Sequence, residues 1–476
     1  MRFDKIMKLM GQFDTEGKER FQEALGSFLA EILQHTPFNL EDSERDIETL
    51  QEKLGNNIFS PLLMSSVEFF LSNEYPADFG FWNAIDFLLN KKGLLLSSED
   101  KSYLKGLRDS YMNLYEITDL KIDEGLTLRD FIEKKQAPIT VKEKMGTRSL
   151  SQWDLIGARV VDTPQGKILA GGLLVLSRKR AQKAKESIDK ISKVMMQKKH
   201  LRLFEKETKD PILLIKKMWT KEILEHWLTE KIKEAQEPTF LNYDGDKLQF
   251  YTLEFPLKVS LSDVVQKLNS LPELISHDVE GTLDAWIWPL RDQKKHRQQK
   301  KKTDLDAPKE IMVDSQLCNE QGETCRFFAE LKIQKKKLMI DVNSEERANF
   351  MENFVQNHLA SFVEKPIRLK HDLKIRQEGT TPTKKVSSGL SREQEGTLKQ
   401  KFYDQHYKGW IDSSLPILKG KTPRQAVKIK TERQKVIDLL KDLINNELHN
   451  AKKEGRTTPY NFDWLFAELG IEKDLL

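Results

Sequence analysis

Apolar residues recur at spacings of three and four through the first stretch of the chain and at spacings of two in the next. The sequence therefore predicts helices followed by strands. Phe21, Leu25, Phe28, Leu29 and Ile32 fall on one helical face, and Leu62, Leu63, Val67, Phe70 and Leu71 repeat the arrangement. Pro76, Phe79, Gly80, Phe81 and Trp82 predict an aromatic turn ahead of an apolar helix over 85–89, with another helix over 98–111. Residues 1–112 read as a helical domain.

Period two takes over at residue 113. Tyr115 and Ile117, Leu120 and Ile122, Ile139 and Val141, and Ile156, Ala158 and Val160 alternate with polar neighbours, and an apolar run follows over 168–175. Gly125, Pro138 and the Thr163-Pro164-Gln165-Gly166 turn separate the runs. Short strands in succession predict a small antiparallel β-barrel over 113–177.

Residues 178–245 read as a basic helical connector, with Ile188, Ile191, Met195 and Leu203 as its buried stripe. Residues 246–372 read as an α+β domain. Tyr251, Leu253, Phe255 and Leu257 alternate as a strand, and Ser260 with Asp263 has capping-box spacing. Trp286 and Trp288 mark another strand. Ala329, Leu331 and Ile333 face Leu338, Ile340 and Val342 in a hairpin, and Asn343 with Glu346 is expected to cap the helix that buries Met351, Phe354, Val355 and Leu359. The stretch 291–310 opens with a run that lacks apolar residues and reads as a disordered basic loop. Residues 373–393 read as a linker, and 394–476 as a helical module. The fold class is mixed and multi-domain: helical N-terminal domain, small barrel, α+β domain and helical C-terminal module.

Charge adds an asymmetry to this pattern. The chain of 476 residues is net +4, yet residues 1–160 carry 20 Lys and Arg against 27 Asp and Glu, leaving the remainder at +11. That division fits internal docking or an acidic partner, and it fits equally an uneven surface charge that serves no function. The two cysteines, Cys318 and Cys325, exclude an extracellular disulfide framework and read as ordinary thiols of a reducing compartment, so the expected location is cytoplasmic. No apolar run reaches the length of a membrane-spanning helix, and no membrane association is expected.

The chemical motifs come up empty. Asp78-Phe79-Gly80 stands without the glycine-rich and catalytic loops that give such a triplet meaning in kinases. Phosphate-loop, dinucleotide, metalloprotease and nucleophile-elbow signatures are absent. Glu225 and His226 are neighbours on a helix, pointing about 100° apart, which does not converge on one proton. Neither a cofactor nor a metal is expected, and the chain reads as a non-enzyme.

The most informative local pattern lies near the C-terminus. A helix is expected to end at Trp410 and to run into a loop stiffened by Pro416 and turned at Gly420. Thr422 then serves as N-cap with Pro423 at the first helical position. A further helix is expected from Thr431, capped with Gln434, with Val436, Ile437, Leu440, Leu443 and Ile444 as its stripe. Trp410, Pro416, Leu418, Gly420, Thr422 and Pro423 resemble the toxin-binding module of the MbcA/ParS/Xre antitoxins, over about residues 400–447. The resemblance implies a partner-binding surface at these six residues. A DNA-binding helix-turn-helix, usual in such antitoxins, is not visible.

Segments 110–117, 125–130, 153–160, 343–348 and 462–465, in that order along the chain, resemble uncharacterised bacterial proteins often associated with a SEC-C zinc motif. The cysteine-rich motif itself is absent. The expected function is protein binding, with the C-terminal module contacting an unidentified partner. The alternative is nucleic-acid binding by the barrel and the basic segments, expected to be weak and salt-sensitive.

Overall fold

The computed structural model describes residues 3–36, 47–76, 81–204, 208, 210–235, 239–276, 285–290, 310–318, 324–371, 392–456 and 458–472. The triplet at 78–80, the basic loop apart from residue 310, and the linker apart from 392 and 393 lie outside the described residues. The chain forms two compact units: residues 1–232 with 387–476, and residues 233–386. The helical N-terminal segment, the barrel, the basic helices and the C-terminal module thus belong to one unit, which the second unit interrupts in sequence.

In the first unit, helices Thr15–Gln34, Asn56–Ser72, Ala84–Asn90 and Ser98–Arg108 follow the periodicity and begin at side-chain caps wherever one is available. Asp14 accepts from Gly17 N, and Ser97 forms a reciprocal capping box with Asp100. The barrel strands are Met112–Lys121, Gly125–Asp130, Ile139–Lys142, Leu155–Thr163 and Gly166–Leu169. Numbered along the chain, they pair in the order 1-2-3-5-4 and close back on 1, with helix Met145–Ser149 between the third and fourth. The third and fifth run parallel and every other pairing is antiparallel. This is the connectivity of an OB-type barrel.

Tyr115, Ile117, Leu126, Leu128, Val141 and Ile156 fill its interior. A register shift between Ile117 and Asp119 accounts for the change of phase from Tyr115 and Ile117 to Leu120: one ten-residue strand carries a bulge, where the sequence suggests two strands. Gly125, expected to break the pattern, instead starts a strand.

Outside the barrel, Met112, Leu114, Leu155 and Leu174 join Phe28, Ile32, Ile188, Trp219 and Ile223 in the largest core. Helix Pro211–Ala235 lies so close to the fourth strand that a Cβ on Gly157 would sit 2.6 Å from Ile223 Cγ2, so only glycine fits there. Of the stripe expected on the basic segment, Ile188 is fully buried, whereas Leu203 is exposed.

The second unit is built on an antiparallel sheet in the order Ile275–Ser276, Ala285–Pro289, Thr324–Gln334, Lys337–Val342, Phe250–Pro256 and Ile367–His371. Leu331 pairs with Ile340 and Ile333 with Leu338, as the alternation requires. Both turn residues, Lys335 and Lys336, have positive φ, the geometry of a two-residue hairpin. Cys318 and Cys325 lie on adjacent paired strands. The helix Glu345–Leu359 is capped by Ser344, which accepts from Arg347 N, one residue later than the sequence suggests. Arg347 is buried and forks onto Asp314 with two bonds of 2.9 Å, while its other edge meets Asp244. Among the described residues no helix is long and apolar enough to cross a membrane.

Candidate functional site: a cleft between barrel and C-terminal helices

The C-terminal residues form helices Arg392–Trp410, Pro423–Ala426, Lys430–Glu454 and Asp463–Leu469. The turn between the first two follows the sequence logic closely. Pro416–Leu418 is a single 3₁₀ turn, Lys419 and Gly420 both have positive φ, and Thr422 makes a capping box with Gln425. Local chemistry determines this geometry, and it turns two of the six expected contact residues inward. Leu418 is 0% exposed and Pro423 is buried, both inside the module. Trp410 is half-buried against the same core. Pro416 and Gly420 are exposed, and the most prominent apolar side chain of the turn is Ile417, at 62%. Helix Lys430–Glu454 starts without a side-chain cap, so Thr431 and Gln434 do not play the expected part.

The long helix is tied to the first barrel strand and to the turn that precedes the fourth. Lys441 Nζ donates to Glu116 at 2.6 Å, and Arg178 Nη1 donates to the other oxygen of the same carboxylate at 2.8 Å. Burial pushes the Glu116 carboxyl up, but Lys441 and Arg178 more than offset it and hold the group below its ordinary value. Further along, Asn445 Nδ2 and His449 Nε2 reach Asp154 Oδ1 at 2.7 and 2.8 Å, and Lys452 donates to Leu150 O.

These contacts hold a turn of unusual geometry. Trp153 has φ of +71°, a region that a bulky side chain seldom enters and that costs about 1–3 kcal/mol. Its N–H donates to Ile117 O at 2.8 Å, its ring is buried, and Lys441 Nζ sits 4.4 Å from the ring centre.

Beside Trp153 opens a cleft of about 570 Å³. Its walls are Trp153, Ile444, Tyr460, Phe462 and Phe466, with Thr118, Arg129, Gln152 and Asn461 supplying polar groups. Glu447, at its edge, is occupied by Arg456 at 2.6 Å and by Tyr460 N at 2.9 Å. A second, more charged cavity of about 320 Å³ shares Arg129 and is bounded by Glu116, Arg178 and Lys441. Gln434, Asp438, Lys441, Ile444 and Leu448 line one or the other at spacings of three and four. One face of one helix therefore borders both, over about 21 Å. The volume lies within the range of small-molecule pockets, and the lining mixes aromatic walls with a few polar groups. Neither Arg129 nor Tyr460 stands out in the sequence, because they meet only after the chain has returned from the second unit.

Among the described residues no group of three or more His, Cys, Asp or Glu could hold a metal ion. A family of unknown function, DUF7986, matches residues 83–206, which take in the barrel and the helices that flank it. The match stops well short of the C-terminal module, so the likenesses to the antitoxin domain and to the SEC-C-associated proteins rest on the sequence patterns alone. No curated protein and no solved structure matches the chain.

Proposed function

We propose that this chain is a non-enzymatic protein-binding protein, and that its C-terminal helices and barrel together grip a segment of a partner in the aromatic cleft. The observation that carries the reading is the cleft itself: about 570 Å³ of open space with Trp153, Tyr460 and Phe462 in its wall. Large, stiff aromatic side chains offer contact area at little cost in conformational freedom, which makes them the usual anchors of protein interfaces. Arg129, Gln152 and Asn461 supply hydrogen-bonding groups for a peptide backbone. In this reading the turn at Pro416, Leu418, Gly420, Thr422 and Pro423 sets the position of the long helix. Trp410 packs behind it, and contact with the partner passes to the cleft.

A photo-crosslinking side chain at the exposed position 461 tests this. The expected result is covalent capture of one protein in native cells, unaffected by nuclease and lost when Leu448→Arg fills the cleft. Capture that is indifferent to Leu448→Arg, in a variant that retains its melting temperature, would place the contact elsewhere.

A further inference from the structure

Helix Arg178–Met195 leaves the barrel directly, with Ser177 as its cap one residue after strand Leu174–Leu176. Ala181, Ala184 and Ile188 are its buried apolar residues. On the opposite side lie Lys179, Lys183, Lys190 and Lys193, all exposed. At 100° per residue these four stay within an arc of about 80° and span about 21 Å. Lys198, Lys199 and Arg202, also exposed, continue the positive charge into helix Lys198–Phe204. None of the seven is ion-paired among the described residues. Of the two acids on the longer helix, Asp189 is held by Lys185 at 2.7 Å, and only Glu186 falls within the arc.

A helix face that merely needs solvation gains from mixing signs at i and i+4; here four lysines share the arc with the single carboxylate of Glu186, and a face so dominated by one sign repels itself. What relieves that repulsion is a polyanion. A lipid surface is disfavoured because membrane-surface helices insert an apolar face, and the apolar face of the long helix, Ala181, Ala184 and Ile188, is already buried in the core, which leaves Val194, Met196 and Leu203 as isolated exposed side chains around its C-terminal end. The connectivity of the adjoining barrel is one that often serves oligonucleotides, although a fold alone assigns no function.

We propose that this lysine face is a nucleic-acid site that contacts phosphates along one strand and reads no bases. It is independent of the aromatic cleft. Four to seven neutralised phosphates give a slope of about −3 to −5 for log K against log salt on a single strand.

The test uses the full-length protein and a labelled twenty-nucleotide oligothymidylate in fluorescence anisotropy. The expected result is binding at low salt with that slope. It should weaken at least tenfold in a variant carrying Lys179→Glu, Lys183→Glu, Lys190→Glu and Lys193→Glu. The corresponding Lys→Gln variant should lose about 3 from the slope. All four positions are exposed, so an unchanged circular dichroism spectrum and melting point show that the fold is kept. The proposal is overturned by absence of binding at low salt, by unchanged affinity in the folded variants, or by binding to phosphatidylserine vesicles in place of the oligonucleotide.

Discussion

Glu116, on the first barrel strand, and Lys441, on the long C-terminal helix, form an ion pair of 2.6 Å across 325 positions of sequence. Both side chains are buried, so each depends on the other to offset its lost hydration. Lys441→Met leaves Glu116 with Arg178 alone and should destabilise the first unit by about 3 kcal/mol in chemical denaturation. The Glu116 carboxyl is held below its ordinary value in the folded state, so its contribution is present above about pH 4.3 and fades as pH falls through the folded value. Wild type should therefore lose stability below about pH 4 faster than Glu116→Gln, as read from urea midpoints over an acid series.

Leu418 and Ile417 are neighbours with opposite surroundings, which separates packing from recognition in the Pro416 turn. Leu418→Asp puts a carboxylate into a sealed apolar core and should cost at least about 3 kcal/mol, enough to release the C-terminal helices to limited proteolysis. Ile417→Asp should leave the melting temperature nearly unchanged. Thr422→Ala removes one capping bond and should cost about 1 kcal/mol.

In the second unit, Arg347→Lys should be nearly as damaging as Arg347→Ala. The two parallel bonds to Asp314 need the planar fork, which an ammonium cannot supply. Breaking a buried pair of this kind costs about 3–5 kcal/mol, and loss of the cooperative unfolding transition of residues 233–386 would report it.

Lys217 is buried and donates to Ser72 O. Burial, reinforced by the Arg159 guanidinium, pushes its ammonium down to about 8. A lysine that is harder to protonate in the folded state than in the unfolded one burdens stability below about pH 8, and the burden lifts as pH approaches the unfolded value of about 10.4. The stability of wild type relative to Lys217→Met should rise by about 2 kcal/mol between about pH 7 and about pH 9.5. A flat difference would show that Lys217 stays charged in the folded protein across this range and that burial does not shift it.

What could be read from the sequence follows the range of the interactions concerned. Thr422, Pro423, Ser260 and the hairpin of Leu331 and Ile340 are governed by neighbours within a few residues, and each lies where the pattern puts it. The barrel was visible in the alternation of Tyr115, Ile117, Val141 and Ile156. The strand starting at Gly125 was not, since glycine there serves close approach to Val141 O and does not form a turn. Leu418 illustrates the deeper difficulty: an apolar residue in a proline loop looks the same whether it meets a partner or its own core. The cleft was invisible for a related reason, because Arg129, Trp153 and Tyr460 come together only through long-range docking.

The interruption of the first unit by residues 233–386 has a consequence for the order in which the protein can be made. A chain emerging from the ribosome delivers the barrel early and the helix that covers it almost last. Until residues 430–454 are synthesised, Glu116 lacks Lys441, Asp154 lacks Asn445 and His449, and the ring of Trp153 lacks its apolar neighbours. The nascent barrel therefore spends the synthesis of the whole second unit with one charged and apolar flank uncovered. That flank is where a chaperone would have reason to bind, and truncations ending before residue 430 should be the ones that aggregate.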